Sequence, residues 1–381
     1  MRFSVMASAL VAAVVGFGST LAIVIEAAKH LGATQDQASS WISMLCLGMA
    51  ITSAFLSIRF KMPIVTAWSL AGLVLIVATP SGTAMGDAIG AFMFSGALTV
   101  LAGAVPAVGA AIGRLPASVA GGMLAGLILR FALGLFTAAQ TDPGLVLPLL
   151  AVFLAARLLH PASAPLIVIA AAAPIALLEG YPMHLPPPSL STVAWMPPSF
   201  SPAVLLSLGV PMFLVTMATQ QISGAAVLRV SGYTPPMSAV LVTTGLATVA
   251  LAPFGAYSIN LSSLTAAICT GSDAHPNPAK RWQTGPCYAV VYLLFALVGA
   301  SLVTAVSALP PVLVATVVGT ALLAPLTAAL TASVAHEQER FPAILAFVVT
   351  ASGMTLIGIG SAFWGLLAGV LAVGVERLKR R

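Results

Sequence analysis

Long runs of Ala, Leu, Val and Gly dominate this chain, and no regular alternation of apolar and polar residues interrupts them. Hydrophobic residues make up 60% of the 381 positions and charged residues only 6%. A soluble fold cannot bury so much apolar surface, so most of it must face lipid or other membrane helices. Because strand-like alternation is absent, we expect spanning helices and not a β-barrel. The first apolar run has no clear cleavage site, so we interpret it as a helix and not as a signal peptide.

Breaks rich in Pro and polar residues divide the chain into about fourteen apolar segments. The longest break, at about residues 180–201, separates two halves of about seven segments each. The predicted segments are 4–28, 38–58, 63–79, 84–104, 116–138, 144–158, 163–179, 202–228, 235–252, 253–270, 284–307, 310–333, 341–359 and 361–376. The pattern predicts an all-α polytopic membrane protein with a first repeat at 1–180, an extracellular or periplasmic connection at 181–201 and a second, inverted repeat at 202–381.

The basic residues fall on one side of the predicted membrane. With a cytoplasmic N-terminus, the inner side carries Arg2, Arg59, Lys61, Arg114, Arg157, Arg229, Lys280, Arg281, Arg340, Arg377, Lys379, Arg380 and Arg381. Only Lys29 lies outside, and Arg130 lies within a helix. The positive-inside rule therefore predicts a multi-pass protein with both termini cytoplasmic. The same bias explains the net charge of +6 without nucleic acid as a partner.

Segments 3 and 10 are interrupted near their starts and occupy corresponding places in the two halves. They contain Pro63-Ile-Val-Thr-Ala-Trp-Ser-Leu70 and Pro253-Phe-Gly-Ala-Tyr-Ser-Ile-Asn260. Each is predicted to be a short strand plus a half-helix. Helix starts expose N–H groups that bind anions, and paired interruptions in inverted repeats mark the binding sites of secondary transporters. The residues predicted to lie at these starts and to bind a small planar anion are Trp68, Ser69, Tyr257, Ser258 and Asn260.

An alternative interpretation is that Trp68 and Tyr257 only pack or anchor, and that the prolines kink ordinary helices. A second polar cluster lies in segment 8, where Thr216, Thr219, Gln220 and Ser223 share one helical face. Two adjacent glutamines deep in a spanning helix are costly without partners, so Thr219 and Gln220 are candidates for the site. Hydrogen bonding between helices is the other explanation.

The two halves also show a weak internal echo at a shift of 200 residues. Thr20 then falls on Gln220, Lys29 on Arg229 and Gly32 on Gly232. Phe17-Gly-Ser-Thr20 occupies the depth in segment 1 that Gln220 occupies in segment 8, which adds Phe17 and Thr20 to the candidates. The echo favours an internal duplication.

Few charges lie inside the predicted membrane. Glu26 or Asp87 could pair with Arg130, either as a structural pair or as part of a proton relay, and both acids are candidates for proton coupling. The three cysteines have no metal or redox spacing and are expected to be free thiols. No zinc-protease motif, nucleophile elbow, paired intramembrane Asp or P-loop is present, so we expect no enzyme, metal or cofactor, and uphill transport would use an ion gradient.

Over its whole length the chain resembles the BenE-type benzoate:proton symporters. The resemblance is carried by Gly-Phe-Gly-Ser-Thr20, Thr219-Gln-Gln-Ile-Ser-Gly224 and Pro253-Phe-Gly-Ala-Tyr-Ser-Ile-Asn-Leu261. A wider similarity to uracil/xanthine permeases implies a seven-plus-seven inverted-repeat fold, with a core domain of segments 1–4 and 8–11 and a gate domain of segments 5–7 and 12–14. Where those permeases carry two acidic ligands, this chain has Gln220 and Ile259. The loss of carboxylates suits an anionic substrate.

The resemblance therefore implies a symporter of a bacterial inner membrane that imports benzoate, or a close aromatic carboxylate, with protons by alternating access. In that interpretation Trp68 and Tyr257 flank the ring, Ser69, Ser258 and Asn260 hold the carboxylate, and Gln220 donates a hydrogen bond. The runner-up is a proton-coupled transporter of another small anion or a neutral nucleobase. A passive channel and a purely structural membrane protein come next. The implied partners are benzoate, protons and the bilayer, and a homodimer stays open.

Overall fold

The structure is a computed structural model that describes residues 2–18, 20–105, 107, 116–159, 164–181 and 189–379. The first half contains α1 (Phe3–Gly18), α2 (Leu21–His30), α3 (Gln35–Phe60), β1 (Thr66–Trp68), α4 (Leu70–Val77), α5 (Met85–Ala104), α6 (Ala117–Thr141), α7 (Pro143–Leu159) and α8 (Ala164–Leu178). The second half contains α9 (Pro202–Val230), α10 (Met237–Leu251), β2 (Ile259–Leu261), α11 (Ser263–Thr270), α12 (Thr284–Leu297), α13 (Gly299–Ser307), α14 (Pro311–Val334), α15 (Arg340–Ala351), β3 (Thr355–Leu356), β4 (Ile359–Gly360) and α16 (Ser361–Lys379). Ser19, Arg114, Arg380, Arg381 and residues 182–188 of the predicted connection lie outside the described residues.

The helices are long and apolar enough to make this a polytopic membrane protein. Within the described residues, eight helices could cross a membrane, or nine if α12 and α13, which are bent by 59° at their junction, form one span. Among the described residues, the helices long enough to cross a membrane are therefore fewer than the fourteen predicted segments. Segments 6, 7 and 13 are shorter than full spans, with 17 residues in α7, 15 in α8 and only 12 in α15. At about 1.5 Å per residue, α15 extends roughly 18 Å, well short of the hydrocarbon core.

The two interrupted segments meet at the middle of the fold. β1 pairs with β2 in antiparallel register, with Thr66 opposite Leu261 and Trp68 opposite Ile259. Each strand is followed at once by an eight-residue helix, α4 after β1 and α11 after β2. The strands belong to opposite halves of the sequence, so this pairing brings the two interrupted segments together. Because the strands are antiparallel, the two short helices begin at opposite ends of this short pairing.

Two helix ends that lie 200 residues apart in the sequence have the same local geometry. Gly32 follows α2 with φ +77°, and Gly232 follows α9 with φ +86°. The Gly32 N–H donates to the carbonyl of Lys29 at 2.9 Å, and the Gly232 N–H donates to the carbonyl of Arg229 at 2.9 Å. Glycine is favoured after a helix because it adopts positive φ without strain. These matched caps support an internal duplication.

Glycines bring the helices together in two groups. In the first group, α5 approaches α10, where a Cβ added at Gly96 would lie 3.1 Å from the carbonyl oxygen of Gly245. In the second group, α6 approaches α14 and α15, where a Cβ at Gly121 would lie 3.0 Å from the carbonyl oxygen of Ala329. A Cβ at Gly126 would lie 2.6 Å from the carbonyl oxygen of Phe347. Small residues permit this close approach of backbones in membrane helices.

Candidate binding site

A serine side chain caps the start of each short helix. Ser69 Oγ accepts a hydrogen bond from the Gly72 N–H at 3.0 Å, and Ser262 Oγ accepts one from the Thr265 N–H at 3.2 Å. The caps satisfy one N–H group of each helix and leave the N–H groups of the first two residues without an acceptor inside the helix. Each start therefore keeps the partial positive charge of a helix N-terminus.

Both helix starts border one cavity of about 620 Å³. Leu70 and Ala71 of α4 lie on its wall, as do Ser263 and Leu264 of α11. The remaining lining residues are Gly16, Thr20, Ile23, Ala67, Trp68, Ala117, Gly121, Leu124, Ile128, Pro165, Ala218, Thr219, Gln220, Ser223, Ser262, Thr265, Tyr292, Ala321, Ala324, Pro325, Ala328, Ala329 and Ala332. Among the described residues, none that lines the cavity is charged, and the two helix ends supply positive potential there.

Four of the predicted site residues line this cavity. Trp68 donates from Nε1 to Thr20 Oγ1 at 2.8 Å, and Thr20 donates in turn to the carbonyl of Gly16 at 3.0 Å. Thr219 and Gln220 lie in a π-helical turn of α9 at Met217–Gln221. Such turns are frequent at functional sites because they displace side chains from the regular helical pattern.

The two neighbouring glutamines have different environments. Gln221 is fully buried, donates from Nε2 to Thr244 Oγ1 at 3.0 Å, and accepts from the Leu261 N–H at 3.3 Å. Gln220 lines the cavity, and its side chain makes no hydrogen bond with any residue in the described ranges. Gln221 therefore holds β2 against α9 and α10, whereas the amide of Gln220 is available to a ligand.

The other predicted site residues are buried around the cavity and do not line it. The ring of Phe17 lies 5.6 Å from that of Trp68, centroid to centroid. Tyr257 is fully buried and donates from its hydroxyl to the Ser69 carbonyl at 2.8 Å. Asn260 Nδ2 donates to Ser258 Oγ at 3.0 Å. These residues brace the strands and helix starts that form the cavity.

The prediction that Tyr257, Ser258 and Asn260 lie at a helix start is wrong. Tyr257 and Ser258 precede β2, Asn260 lies within it, and the helix begins at Ser263, five residues after Ser258, so Ser262 and not Ser258 is the counterpart of Ser69. The similar Ala-aromatic-Ser steps of segments 3 and 10 are out of register. The preference of serine for the N-cap position could have identified Ser262, which begins the run Ser-Ser-Leu-Thr.

Tyr292 of α12 was not a candidate, yet it lines the cavity. Its ring meets that of Trp68 edge to face, with centroids 6.4 Å apart and an interplanar angle of 86°. Tyr288 lies one turn earlier, with its ring centroid 4.6 Å from that of Tyr292. In the sequence, the i, i+4 spacing of Tyr288 and Tyr292 places both rings on one face of a helix, and this signal could have identified Tyr292 as a candidate.

The predicted ion pair of Arg130 with Glu26 or Asp87 is absent. Within the described part of the chain, none of the three is in an ion pair. Asp87 instead accepts a hydrogen bond from the Ser199 hydroxyl at 2.6 Å, and Glu26 and Arg130 line a second cavity together. Asp87 lies in the first turn of α5, where a carboxylate also interacts favourably with the helix N-terminus.

Cys46, Cys269 and Cys287 are buried and free of disulfides, as the sequence predicts. Among the described residues, no group of three or more His, Cys, Asp or Glu side chains is arranged to hold a metal ion. The chemistry available at the central cavity is therefore hydrogen bonding, ring packing and the field of two helix ends. That set can bind and orient a small molecule.

Comparisons with known proteins agree with a transport role. The sequence profile of a family described as "Benzoate membrane transport protein" matches residues 1–375. Inner membrane protein YdcO of Escherichia coli (strain K12) is 37% identical over 361 residues, covering 94% of this chain and 92% of that protein. The benzoate membrane transport protein of Acinetobacter baylyi is 32% identical over 362 residues, covering 95% of this chain and 92% of that protein.

A solved structure shows the fold. The transmembrane domain of a cyanobacterium bicarbonate transporter, BicA, matches this chain with a TM-score of 0.60, and the match covers 98% of each chain. The sequence identity is 12%, so the likeness concerns the fold alone. The likeness to nucleobase permeases stays a prediction.

Proposed function

The chain belongs to the benzoate membrane transport protein family, and from this premise we propose that it imports benzoate, or a close aromatic carboxylate, with protons. The family is one of membrane transporters, so the protein is a multi-pass membrane transporter and not an enzyme. A bacterial inner membrane with both termini cytoplasmic is the proposed location. The relative named as an inner membrane protein and the one-sided distribution of basic residues support it.

The observation that carries the proposal is the pair of helix starts at one uncharged cavity. α4 and α11 both begin at its wall, and their free N–H groups offer donors to an anion. Within the part of the chain that the structure describes, no carboxylate side chain lines the cavity. Little charge repulsion therefore opposes a carboxylate there, and hydrogen bonds from N–H groups to a charged acceptor are strong.

Aromatic side chains of the cavity can pack against the ring of the substrate. Trp68 and Tyr292 line the cavity, and Phe17 packs behind Trp68. Aromatic pairs prefer edge-to-face or offset contacts, so this cluster suits a planar ring. We assign the carboxylate to the starts of α4 and α11 with a hydrogen bond from Gln220, and the ring to Trp68 and Tyr292. Thr20 holds the indole of Trp68 in place through the bond to its Nε1.

We propose that the protein works by alternating access, with the substrate bound where two groups of helices meet. The first group lines the cavity with residues of α1, α2, β1, α4, α9, α11 and α12, and the second with residues of α6, α8 and α14. We propose that the first group belongs to a core domain of segments 1–4 and 8–11 and the second to a gate domain of segments 5–7 and 12–14. The antiparallel pairing of β1 with β2 and the matched caps at Gly32 and Gly232 support two inverted repeats of seven segments.

Uptake of labelled benzoate into proteoliposomes tests the function. We expect uptake by the native protein to rise when the outside is made acidic, and to be inhibited by unlabelled benzoate more than by uracil. Empty liposomes control for diffusion of neutral benzoic acid. If uracil inhibits the uptake of labelled benzoate more than unlabelled benzoate does, the substrate is a nucleobase. If the rate of uptake does not change with the pH gradient, proton coupling is excluded.

A further inference from the structure

A second cavity of about 370 Å³ shares three helices, α2, α6 and α14, with the central one. We call it the vestibule. Its lining residues are Ala22, Ile25, Glu26, Lys29, Arg130, Phe131, Gly134, Val306, Ser307, Leu309, Pro311, Val314, Ala315 and Val318. Unlike the central cavity, it is lined by charged side chains.

The vestibule and the central cavity are neighbours along two shared helices. On α6, Ile128 lines the central cavity and Arg130 lines the vestibule. On α14, Ala321 lines the central cavity and Val318 lines the vestibule. The two spaces are therefore separated by about one helical turn at about 1.5 Å per residue. A ligand leaving the vestibule toward the bundle centre would reach the central cavity.

The charges of the vestibule come from its two opposite walls. Lys29 and Glu26 lie on α2, and Arg130 lies on α6. None of these three side chains makes a hydrogen bond or ion pair with another residue of the described ranges. Two cations and one carboxylate leave an excess positive charge, and the ring of Phe131 adjoins it. A space with unpaired cations and an aromatic neighbour suits a small aromatic carboxylate.

We propose that the vestibule is a second anion-binding site, at which Lys29 and Arg130 hold the substrate carboxylate before it enters the central cavity. This assignment rests on the proposed function for the chemical class of its ligand. Glu26 opposes the anion by charge repulsion, so it lowers occupancy of the same site. Under the predicted topology, the vestibule opens on the face opposite the cytoplasm, where the substrate arrives.

Kinetics of the native chain and three charge variants in whole cells test the proposal. The half-saturating concentration of labelled benzoate is measured at low salt from the initial rate of exchange against unlabelled benzoate inside the cells, with cells lacking the transporter as background. We expect Lys29→Gln and Arg130→Gln to raise it about two- to fivefold, the scale of one exposed ion pair, and Glu26→Gln to lower it by a similar factor. The shifts should shrink at high salt because screening weakens exposed charges.

Arg157→Gln is the matched control, since Arg157 is an exposed arginine at the end of α7 and does not line the vestibule. It should leave the half-saturating concentration unchanged. Inside-out vesicles present the other face, where Lys29→Gln and Arg130→Gln should have no effect on substrate capture. Equal half-saturating concentrations for the native chain and all three vestibule variants in cells would overturn the assignment. Native protein that fails to transport benzoate would instead refute the proposed function.

Discussion

Gln220 and Gln221 are adjacent in α9, yet substitution of each should affect a different property of the protein. Gln220 lines the central cavity and has no hydrogen-bond partner in the described ranges. Gln221 is buried between Thr244 and the backbone of Leu261. We expect Gln220→Ala to weaken benzoate binding without loss of stability. Gln221→Ala should lower the thermal stability of the protein.

The magnitudes follow from the hydrogen bonds involved. A bond from Gln220 to a carboxylate contributes roughly 1.5–3 kcal/mol, so its loss should weaken binding about ten- to a hundredfold. Removing the Gln221 side chain leaves the Leu261 N–H, a buried donor, without its acceptor, which costs about 1–3 kcal/mol of folding free energy. The loss falls on β2, which pairs with β1 beside both helix starts.

Titration calorimetry with benzoate and thermal unfolding of the purified protein would separate the two effects. Gln220→Glu is a useful third variant because it keeps the size of the side chain and adds a negative charge. We expect it to weaken binding more than Gln220→Ala does. Native affinity in Gln220→Ala, together with native stability in Gln221→Ala, would contradict both the assigned ligand contact and the assigned brace.

Other predictions test the helix starts, the buried brace, the coupling and the topology. Ser263→Asp should abolish high-affinity benzoate binding, because the new carboxylate repels the substrate, and should preserve thermal stability, because a carboxylate is favourable in the first turn of α11. The uncharged control Ser263→Asn should bind benzoate nearly as well as the native chain. Tyr257→Phe should lower the unfolding temperature, since it removes the buried hydroxyl that donates to the Ser69 carbonyl and leaves that carbonyl only the Leu73 N–H as a donor; an unchanged melting curve would count against the brace. For proton coupling, Glu26→Gln should retain benzoate exchange but lose accumulation driven by a pH gradient; if it and Asp87→Asn both still accumulate benzoate, the proton travels with the substrate or on another group. An impermeant thiol reagent applied to cells should label Leu190→Cys and not Asn277→Cys, and the opposite result would reverse the predicted topology.

Ile259→Glu is a test that the sequence suggests and that the structure replaces with another. If Ile259 replaces a carboxylate ligand of nucleobase permeases, Ile259→Glu would place a negative charge beside the substrate. Ile259 is 1% exposed, lies in β2 and does not line the cavity. A glutamate there would be buried without a partner and would destabilise the fold. Ser263→Asp tests the same electrostatic idea at a residue that reaches the cavity.

Local features made several elements predictable. Pro63 and Pro253 interrupt apolar sequence, and a strand followed by a short helix forms after each. Gly32 and Gly232 end helices because glycine adopts positive φ readily, which depends on neighbouring residues alone. The start of α11 after Ser262 was missed although its N-cap signal is local, because the similar Ala-aromatic-Ser steps were aligned and Tyr257-Ser258 was matched to Trp68-Ser69.

The sequence by itself determined the membrane environment, the family and the two interrupted segments, because composition and short motifs carry that information. Only the tertiary structure decided which polar side chains reach the cavity. Gln220 and Gln221 point about 100° apart on a helix, and a π-helical turn shifts that pattern further. Whether each amide meets the cavity or a partner such as Thr244 depends on the packing of α9 against β2 and α10. Such contacts join residues distant in sequence, so no local pattern could specify them.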